Sequence, residues 1–471
     1  MYRPTILVAI AAWLSFALSA GPSMRAFDAD CGCVPTLRAA ASARSGSIGA
    51  GRVSRGADSL PGRMVARATS GPDTTQTFAI YFPSAYSVER RWPAIFVMDP
   101  RGRGRQGAEL FARSAERYGF VVISSYNTLS DGAMEPNVGA INAMLSEAQS
   151  SLSVDMSRLY IAGLSGTARI GWSFATEAPQ NFAGLLAASA APALNDAELK
   201  SVFGGKGFAL ALSAGSADFN WTEVRRADQQ LLAARVPAHV DYFAGAHAWP
   251  PLPLIDRAVA WFKLRGMLDG RWSTDTAWLD EQIREQMLSA DSLERQGHVA
   301  AAADAFAQLS VGLKSRPEAA EATLRSRALD ARPDVRAIRR REDQLAAEEL
   351  SRAVKLSQVL VEIRRGDPSV DAGELVRRHE FPRLKRLAAE GDSLERPFAS
   401  RVLAFAAVSL GFYEPQRYLE LGQPGRAVTA LKVLAGISPW NAQQCAILAR
   451  ARALMTEAER QSVPSCSPGR P

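Results

Sequence analysis

The chain has 471 residues, 47% of them hydrophobic and 22% charged, an ordinary globular composition with room for two or three domains. It excludes wholesale disorder, collagen and a small disulfide scaffold. The 55 Lys and Arg against 48 Asp and Glu leave a formal charge of +7, too modest an excess at this length to imply nucleic acid, and many arginines fall in stretches of helical pattern where they read as a solvated face.

At the start, Arg3 precedes an apolar run from Ile6 to Ala20 that ends in small residues and is short for a bilayer span, which predicts a secretory signal peptide over 1–20. An uncleaved anchor is the competing reading, and Asp28, Ala29 and Asp30 ahead of Cys31 argue against lipoprotein processing. No other run is long enough to cross a membrane, so stable insertion after cleavage is not expected. Residues 21–61, rich in Ala, Arg, Ser and Gly without apolar periodicity, read as a flexible linker.

From Gly62 to 272, short β-rich runs alternate with amphipathic segments, the pattern of an α/β domain with a mainly parallel sheet. Eight strands are predicted: Met64–Ala68, Gln76–Phe82, Ala94–Met98, Val121–Ser125, Leu159–Ala162, Gly184–Ala188, Phe208–Ser213 and Ala238–Phe243. Gly71, Pro72 and Asp73 turn the first pair into an antiparallel hairpin.

Over 273–471 Ala, Leu, Arg and Glu recur at helical spacing, which predicts a second, all-α domain. Gly297, Ala302, Phe306 and Leu309 recur in spacing as Gly422, Ala427, Leu431 and Leu434, with Tyr418 before and Pro439 after, a partial likeness to the tetratricopeptide repeat. An irregular helical bundle fits almost as well. The four cysteines, Cys31, Cys33, Cys445 and Cys466, allow three pairings, and Cys445 with Cys466, which staples the C-terminal tail, is preferred. Their spacing does not suit zinc, and the four histidines are scattered.

The run Leu159-Tyr160-Ile161-Ala162-Gly163-Leu164-Ser165-Gly166-Thr167-Ala168 passes from a buried strand directly into a helix with Ser165 at the corner, the pattern of a nucleophile elbow. Such a turn crowds its neighbours, and Gly163 and Gly166 supply the small residues it needs. Thr167 stands where glycine is commoner. A serine hydroxyl needs a base near neutrality, and the α/β region holds only His239, inside a predicted strand, and His247, in the loop Ala244-Gly245-Ala246-His247-Ala248-Trp249-Pro250 beyond that strand's C-terminal end. The orienting acid best placed is Asp218, directly after the preceding strand; Asp241 and Glu223 compete from within a strand and a helix.

The order Ser165, Asp218, His247, each in a strand-end loop, resembles the α/β-hydrolase superfamily over 62–268. Gly245, His247, Trp249 and Pro250 are similar to the Gly-x-His-x-Trp-Pro loop of secreted esterases of the polyhydroxybutyrate-depolymerase and feruloyl-esterase type. The resemblance implies Ser165 as nucleophile, His247 as general base and then acid, Asp218 as its orienting carboxylate, and the Gly166 N–H as one oxyanion donor. The second donor is expected from Arg101 or Gly102 in Asp99-Pro100-Arg101-Gly102-Arg103-Gly104. That loop also reads Gly102-x-Gly104-x-x-Gly107, but the next strand ends Ser124-Ser125-Tyr126-Asn127, without the acid a dinucleotide fingerprint wants. Arg101, Arg103 and Arg105 cluster beside it, Trp221 and Trp249 flank the acid and base loops, and Tyr126, Asn127 and Asp131 sit at the same sheet edge, so Trp249, Trp221, Tyr126 and Arg103 are the substrate-binding candidates.

The chain is therefore expected to be an exported, secreted or periplasmic serine esterase that cleaves carboxylic esters of a small molecule or polymer without metal or organic cofactor. A peptidase or amidase would use the same residues. The alternative is an inactive hydrolase-like platform whose helical domain recruits a protein partner.

Overall fold

The computed structural model describes residues 61–466 apart from 72, 194–198, 200–202, 204–206, 314–315 and 367–370. The leader over 1–20, all but the last residue of the linker over 21–61, and Cys31 and Cys33 lie outside the described residues. Two compact units are present, one built on residues up to Ser216 and on Asn220–Ile338, the other on Arg339 onward together with Ala217–Phe219.

The first unit is organised by an eight-stranded sheet, β1 (Met64–Thr69), β2 (Thr77–Tyr81), β3 (Trp92–Met98), β4 (Val121–Ser125), β5 (Val154–Leu164), β6 (Gly184–Ala188), β7 (Ala209–Gly215) and β8 (Ala238–Phe243), in the order β1-β2-β4-β3-β5-β6-β7-β8. β1 pairs with β2 and β2 with β4 antiparallel, and every later pair is parallel. The helices that alternate with them are α1 (Gly104–Tyr118), α2 (Glu135–Ser150), α3 (Gly166–Glu177), α4 (Trp221–Ala233) and α5 (Leu252–Leu268).

Every residue of β3, Trp-Pro-Ala-Ile-Phe-Val-Met, is buried, as expected of a central parallel strand covered on both faces. Successive side chains divide between two cores because the pleat has a period of two. Phe96 and Met98 join Ile141 and Met144 of α2 and Trp172 of α3, whereas Ile95 and Val97 join Phe111 of α1 and Ile255 and Phe262 of α5. In α1, Gly104, Gly107, Ala108, Phe111, Ala115 and Tyr118 form one buried stripe, and Gly119 in the left-handed region ends the helix.

The change of composition at 273 marks where strands stop, not where this unit ends. α6 (Thr276–Arg295), α7 (Val299–Gly312) and α8 (Glu318–Asp330) follow, and Leu279, Ile283, Phe306 and Leu329 continue the core of Trp261 and Phe262. The unit closes only at Ile338, inside α9 (Pro333–Arg365).

The second unit is all helical. After α9 come α10 (Ala372–Arg378), α11 (Phe381–Glu390), α12 (Glu395–Val408), a π-turn at Ser409–Tyr413, α13 (Glu414–Glu420), α14 (Pro424–Ile437), α15 (Ala442–Ala453) and α16 (Glu457–Gln461). Their core runs from Val359 and Phe381 through Phe398 and Leu410 to Leu431, Leu434 and Leu448. Cys445 and Cys466 are bonded, with Cα atoms 5.6 Å apart. The two stretches of like spacing each become a helix pair joined at a glycine of positive φ, Gly297 between α6 and α7 and Gly422 between α13 and α14. One pair belongs to each unit.

Candidate active site

Ser165 stands at the break between β5 and α3 with φ 58° and ψ −124°, a left-handed backbone that costs a non-glycine residue of order 1–3 kcal/mol. Its N–H donates to the Ala188 carbonyl at the end of β6 (2.9 Å). The turn is as crowded as the sequence implies. A Cβ on Gly163 would lie 2.6 Å from the Thr167 carbonyl oxygen, and one on Gly166 would lie 2.8 Å from Ser130 Cβ.

Thr167, the residue out of pattern, is fully buried and has a place of its own. Its hydroxyl donates to the Met98 carbonyl at the end of β3 (2.6 Å) and accepts from the Leu164 N–H (3.1 Å). A buried β3 carbonyl is thereby satisfied and the elbow tied to the neighbouring strand, which no glycine would do.

His247, half-buried, and Asp218, at 0% exposure, occupy the loops that leave β8 and β7. The strand ends beneath them are pinned. The Ser216 N–H donates to the Phe243 carbonyl (2.7 Å), and the 244–247 loop lies so close over Gly215 that a Cβ there would be 2.4 Å from the Gly245 oxygen and 2.6 Å from that of Ala246. Ser189, buried at the end of β6 with φ 56°, gathers these loops. Its N–H donates to the Ser213 carbonyl (2.7 Å), its carbonyl accepts from Asn220 Nδ2 (2.8 Å), and its hydroxyl donates to the Ala248 carbonyl (3.4 Å).

The competing groups have other partners. Asp241 holds His239 (2.8 Å) and Arg257 (3.1 Å); burial raises its carboxyl pKa, but these two partners outweigh that and leave it below the ordinary range. Glu223 accepts from the Ala191 N–H (2.7 Å) and pairs with Arg169 (2.7 Å), bracing α4 against α3 and the segment after β6.

The loop after β3 differs from expectation. Asp99, 1% exposed, turns the nearby amides inward. The Arg101 N–H donates to Asp99 Oδ1 (2.9 Å), the Gly102 N–H to the Asp99 carbonyl (3.1 Å) and the Arg103 N–H to Oδ1 (3.3 Å). The Arg103 guanidinium grips both carboxylate oxygens (2.9 and 2.8 Å), and Trp249 Nε1 donates to Oδ2 (3.2 Å). Burial pushes the Asp99 carboxyl up, and Arg103, the Arg101 amide and Trp249 together more than reverse it, so it lies low. Arg101 and Gly102 therefore do not offer the outward N–H expected of them: turning either amide away strips a bond from a buried acceptor, at about 1–3 kcal/mol.

The substrate-binding candidates are similarly engaged. Arg103 is the partner of Asp99, and Trp249, its ring centroid 5.9 Å from Phe111, ties the base loop to the β3 exit. Tyr126 donates its hydroxyl to the Ala66 carbonyl (2.6 Å) with Arg67 over its ring, and Trp221 packs by Tyr242 (5.7 Å). Sequence reasoning missed Asp99, Ser189, Asn220 and Thr128 as the scaffold of the site. For Asp99 and Ser189, a polar residue immediately after a buried strand was the available signal.

The strand order with its single reversed member, and a sharp strand-to-helix turn of positive φ at the exit of the central β5, define an α/β-hydrolase fold. No family model matches the sequence, and no curated protein matches it. Among solved structures it is similar to FphF of Staphylococcus aureus, a fluorophosphonate-binding serine hydrolase, at 16% identity over 43% of this chain and 98% of that one, with a TM-score of 0.34. It is also similar to a ferulic acid esterase (15% identity, 42% of this chain, 99% of that one, TM-score 0.32) and to dipeptidyl peptidase 4 of Porphyromonas gingivalis (16%, 42%, 34%, TM-score 0.32). Each likeness spans less than half of this chain. Among the described residues no helix is long and apolar enough to cross a membrane.

Proposed function

We propose that the protein is a serine hydrolase that cleaves carboxylic esters through an acyl-enzyme. Ser165 Oγ attacks the ester carbonyl carbon while His247 takes its proton; the oxyanion rests on the Gly166 N–H; collapse expels the alcohol, which takes the proton back from His247. Water, activated by the same histidine, then releases the acid. Asp218 orients the imidazole and stabilises its charged form. The observation that carries this reading is the place of Ser165, at positive φ on the sharp turn from β5 into α3, at the sheet edge from which the loops carrying His247 and Asp218 also leave.

The bridge between Cys445 and Cys466 fits an oxidising compartment and so supports export to the periplasm or the medium. The helical unit, with its paired helices, is proposed as the part that meets a protein partner.

The test is hydrolysis of short and medium acyl nitrophenyl esters by the full chain and by Ser165→Ala, with phosphonate labelling in parallel. Turnover and labelling are expected in the parent and not in the variant, with a fall of at least about 10³-fold in kcat. A folded parent that neither turns over esters nor takes the label would instead be a binding platform.

A further inference from the structure

Acyl transfer needs more than one donor at the developing oxyanion, yet the amides of Arg101, Gly102 and Arg103 are all directed onto Asp99. Asp99 is locked in turn by Arg103, Trp249 and Thr128, whose hydroxyl donates to its carbonyl (2.8 Å). The polar side chain that the fold lays against Gly166 belongs to Ser130. A Cβ placed on Gly166 would meet Ser130 Oγ at 2.9 Å, so the hydroxyl lies beside the residue whose N–H follows the nucleophile.

Ser130 is held by one main-chain bond of its own and by two that fix the residue before it. Its N–H donates to the Pro100 carbonyl (3.0 Å), and Leu129 before it exchanges two bonds with Asn137, donating to Oδ1 (3.0 Å) and accepting from Nδ2 (2.9 Å). Asn137 is itself fully buried. The hydroxyl donates to Asp131 Oδ2 (2.5 Å) in a half-exposed setting, from which rotation about the Cβ–Oγ bond redirects the proton while Oγ stays beside Gly166.

We propose that the Ser130 hydroxyl is the second oxyanion donor, acting beside the Gly166 N–H in place of an amide from the β3 exit. The proposal rests on Ser165 as the nucleophile. When Ser165 Oγ bonds to the carbonyl carbon, the π pair of the C=O moves onto oxygen, and that oxygen accepts from Gly166 N–H and Ser130 O–H. When the C=O re-forms, the C–O bond to the leaving group breaks, the alcohol carries away the proton held by His247, and the Ser130 hydroxyl returns to Asp131. Ser130 gives up no proton at any step.

The experiment compares the full chain with Ser130→Ala and Ser130→Thr. It measures kcat and KM on nitrophenyl esters, and the affinity of an aryl trifluoromethyl ketone, which adds to the nucleophile as a hemiketal oxyanion. Ser130→Ala is expected to lower kcat about 100-fold, to change KM by less than about threefold, and to weaken the ketone by the same factor as kcat/KM. Ser130→Thr, which keeps the hydroxyl, is expected to recover most of the loss. A Ser165-dependent parent whose Ser130→Ala variant keeps kcat and ketone affinity within about threefold overturns this proposal alone. Equal loss in both variants without weaker ketone binding overturns it too, in favour of a packing role. A parent that neither turns over nor labels removes the nucleophile, and this proposal falls with it.

Discussion

At the scale of single residues, Thr167 shows how a departure from a motif can be a constraint in its own right. Its hydroxyl satisfies the Met98 carbonyl and meets the Leu164 N–H inside the core, so Thr167→Ala leaves buried backbone groups short of a partner. The expected cost is about 1–3 kcal/mol, read as a lower denaturant midpoint at unchanged slope. Ser165 was legible in the sequence because a strained turn needs small neighbours, and glycines leave a local mark. Asp99, Ser189 and Asn220 were not. Each bonds at least one group brought from another loop, such as Asn220 on Ser189 across 31 positions and Trp249 on Asp99 across 150, and partners that distant leave no local signature. At Arg101 and Gly102 the direction of the amides is set by the buried Asp99 at the head of the loop, which the glycine and arginine pattern does not reveal.

At the scale of elements, the strands were read closely. β4, β6 and β8 begin and end where their apolar runs do, whereas β5 starts five residues early, at Val154, through a polar segment that pairs with β3 across an irregular register. Which element packs on which was less legible. The apolar stripe of α6 and α7 predicts helices, but nothing in it says that they bury against α5 rather than against the later helices.

One junction from that packing carries a pH dependence. Asp228 of α4 is buried between Arg225 (3.2 Å), Tyr242 of β8 (3.1 Å) and Gln308 of α7 (3.2 Å), with Asp304 on the far side of Arg225 (2.9 Å). Burial, only partly offset by Arg225 and aided by Asp304, pushes its carboxyl up to about 6. The folded state then binds this proton more tightly than the unfolded chain, whose carboxyl titrates near 4, so the contribution falls as pH rises from about 4 to about 6 and stays low above that. A shift of about two units corresponds to something on the order of 3 kcal/mol. Asp228→Asn, which keeps one acceptor oxygen for Tyr242 and turns its amide nitrogen toward Gln308, is expected to raise stability at pH 8 relative to the parent more than it does near pH 4. Urea melts at the two pH values check this, and a variant destabilised equally at both would contradict it.

At the scale of the whole molecule, two units with separate cores predict two unfolding transitions. Only the helical unit contains the Cys445–Cys466 bridge, which closes a loop across 21 positions. Reduction is expected to cost that unit about 3 kcal/mol by restoring freedom to its unfolded chain, and to leave the transition of the sheet unit in place. Amide exchange in α15 and in β5, with and without reductant, separates the two.

The same bridge has a consequence for the lifetime of the chain. α16 buries no residue, and the segment beyond α15 is otherwise kept down by the side chains of Met455 and Val463 and by Lys432 on the Ser462 carbonyl. An oxidised molecule therefore presents proteases with a segment fastened at both ends, whereas a reduced one offers them a loose segment. Limited proteolysis of the reduced molecule would cut first between Leu454 and Cys466, a site the oxidised molecule protects.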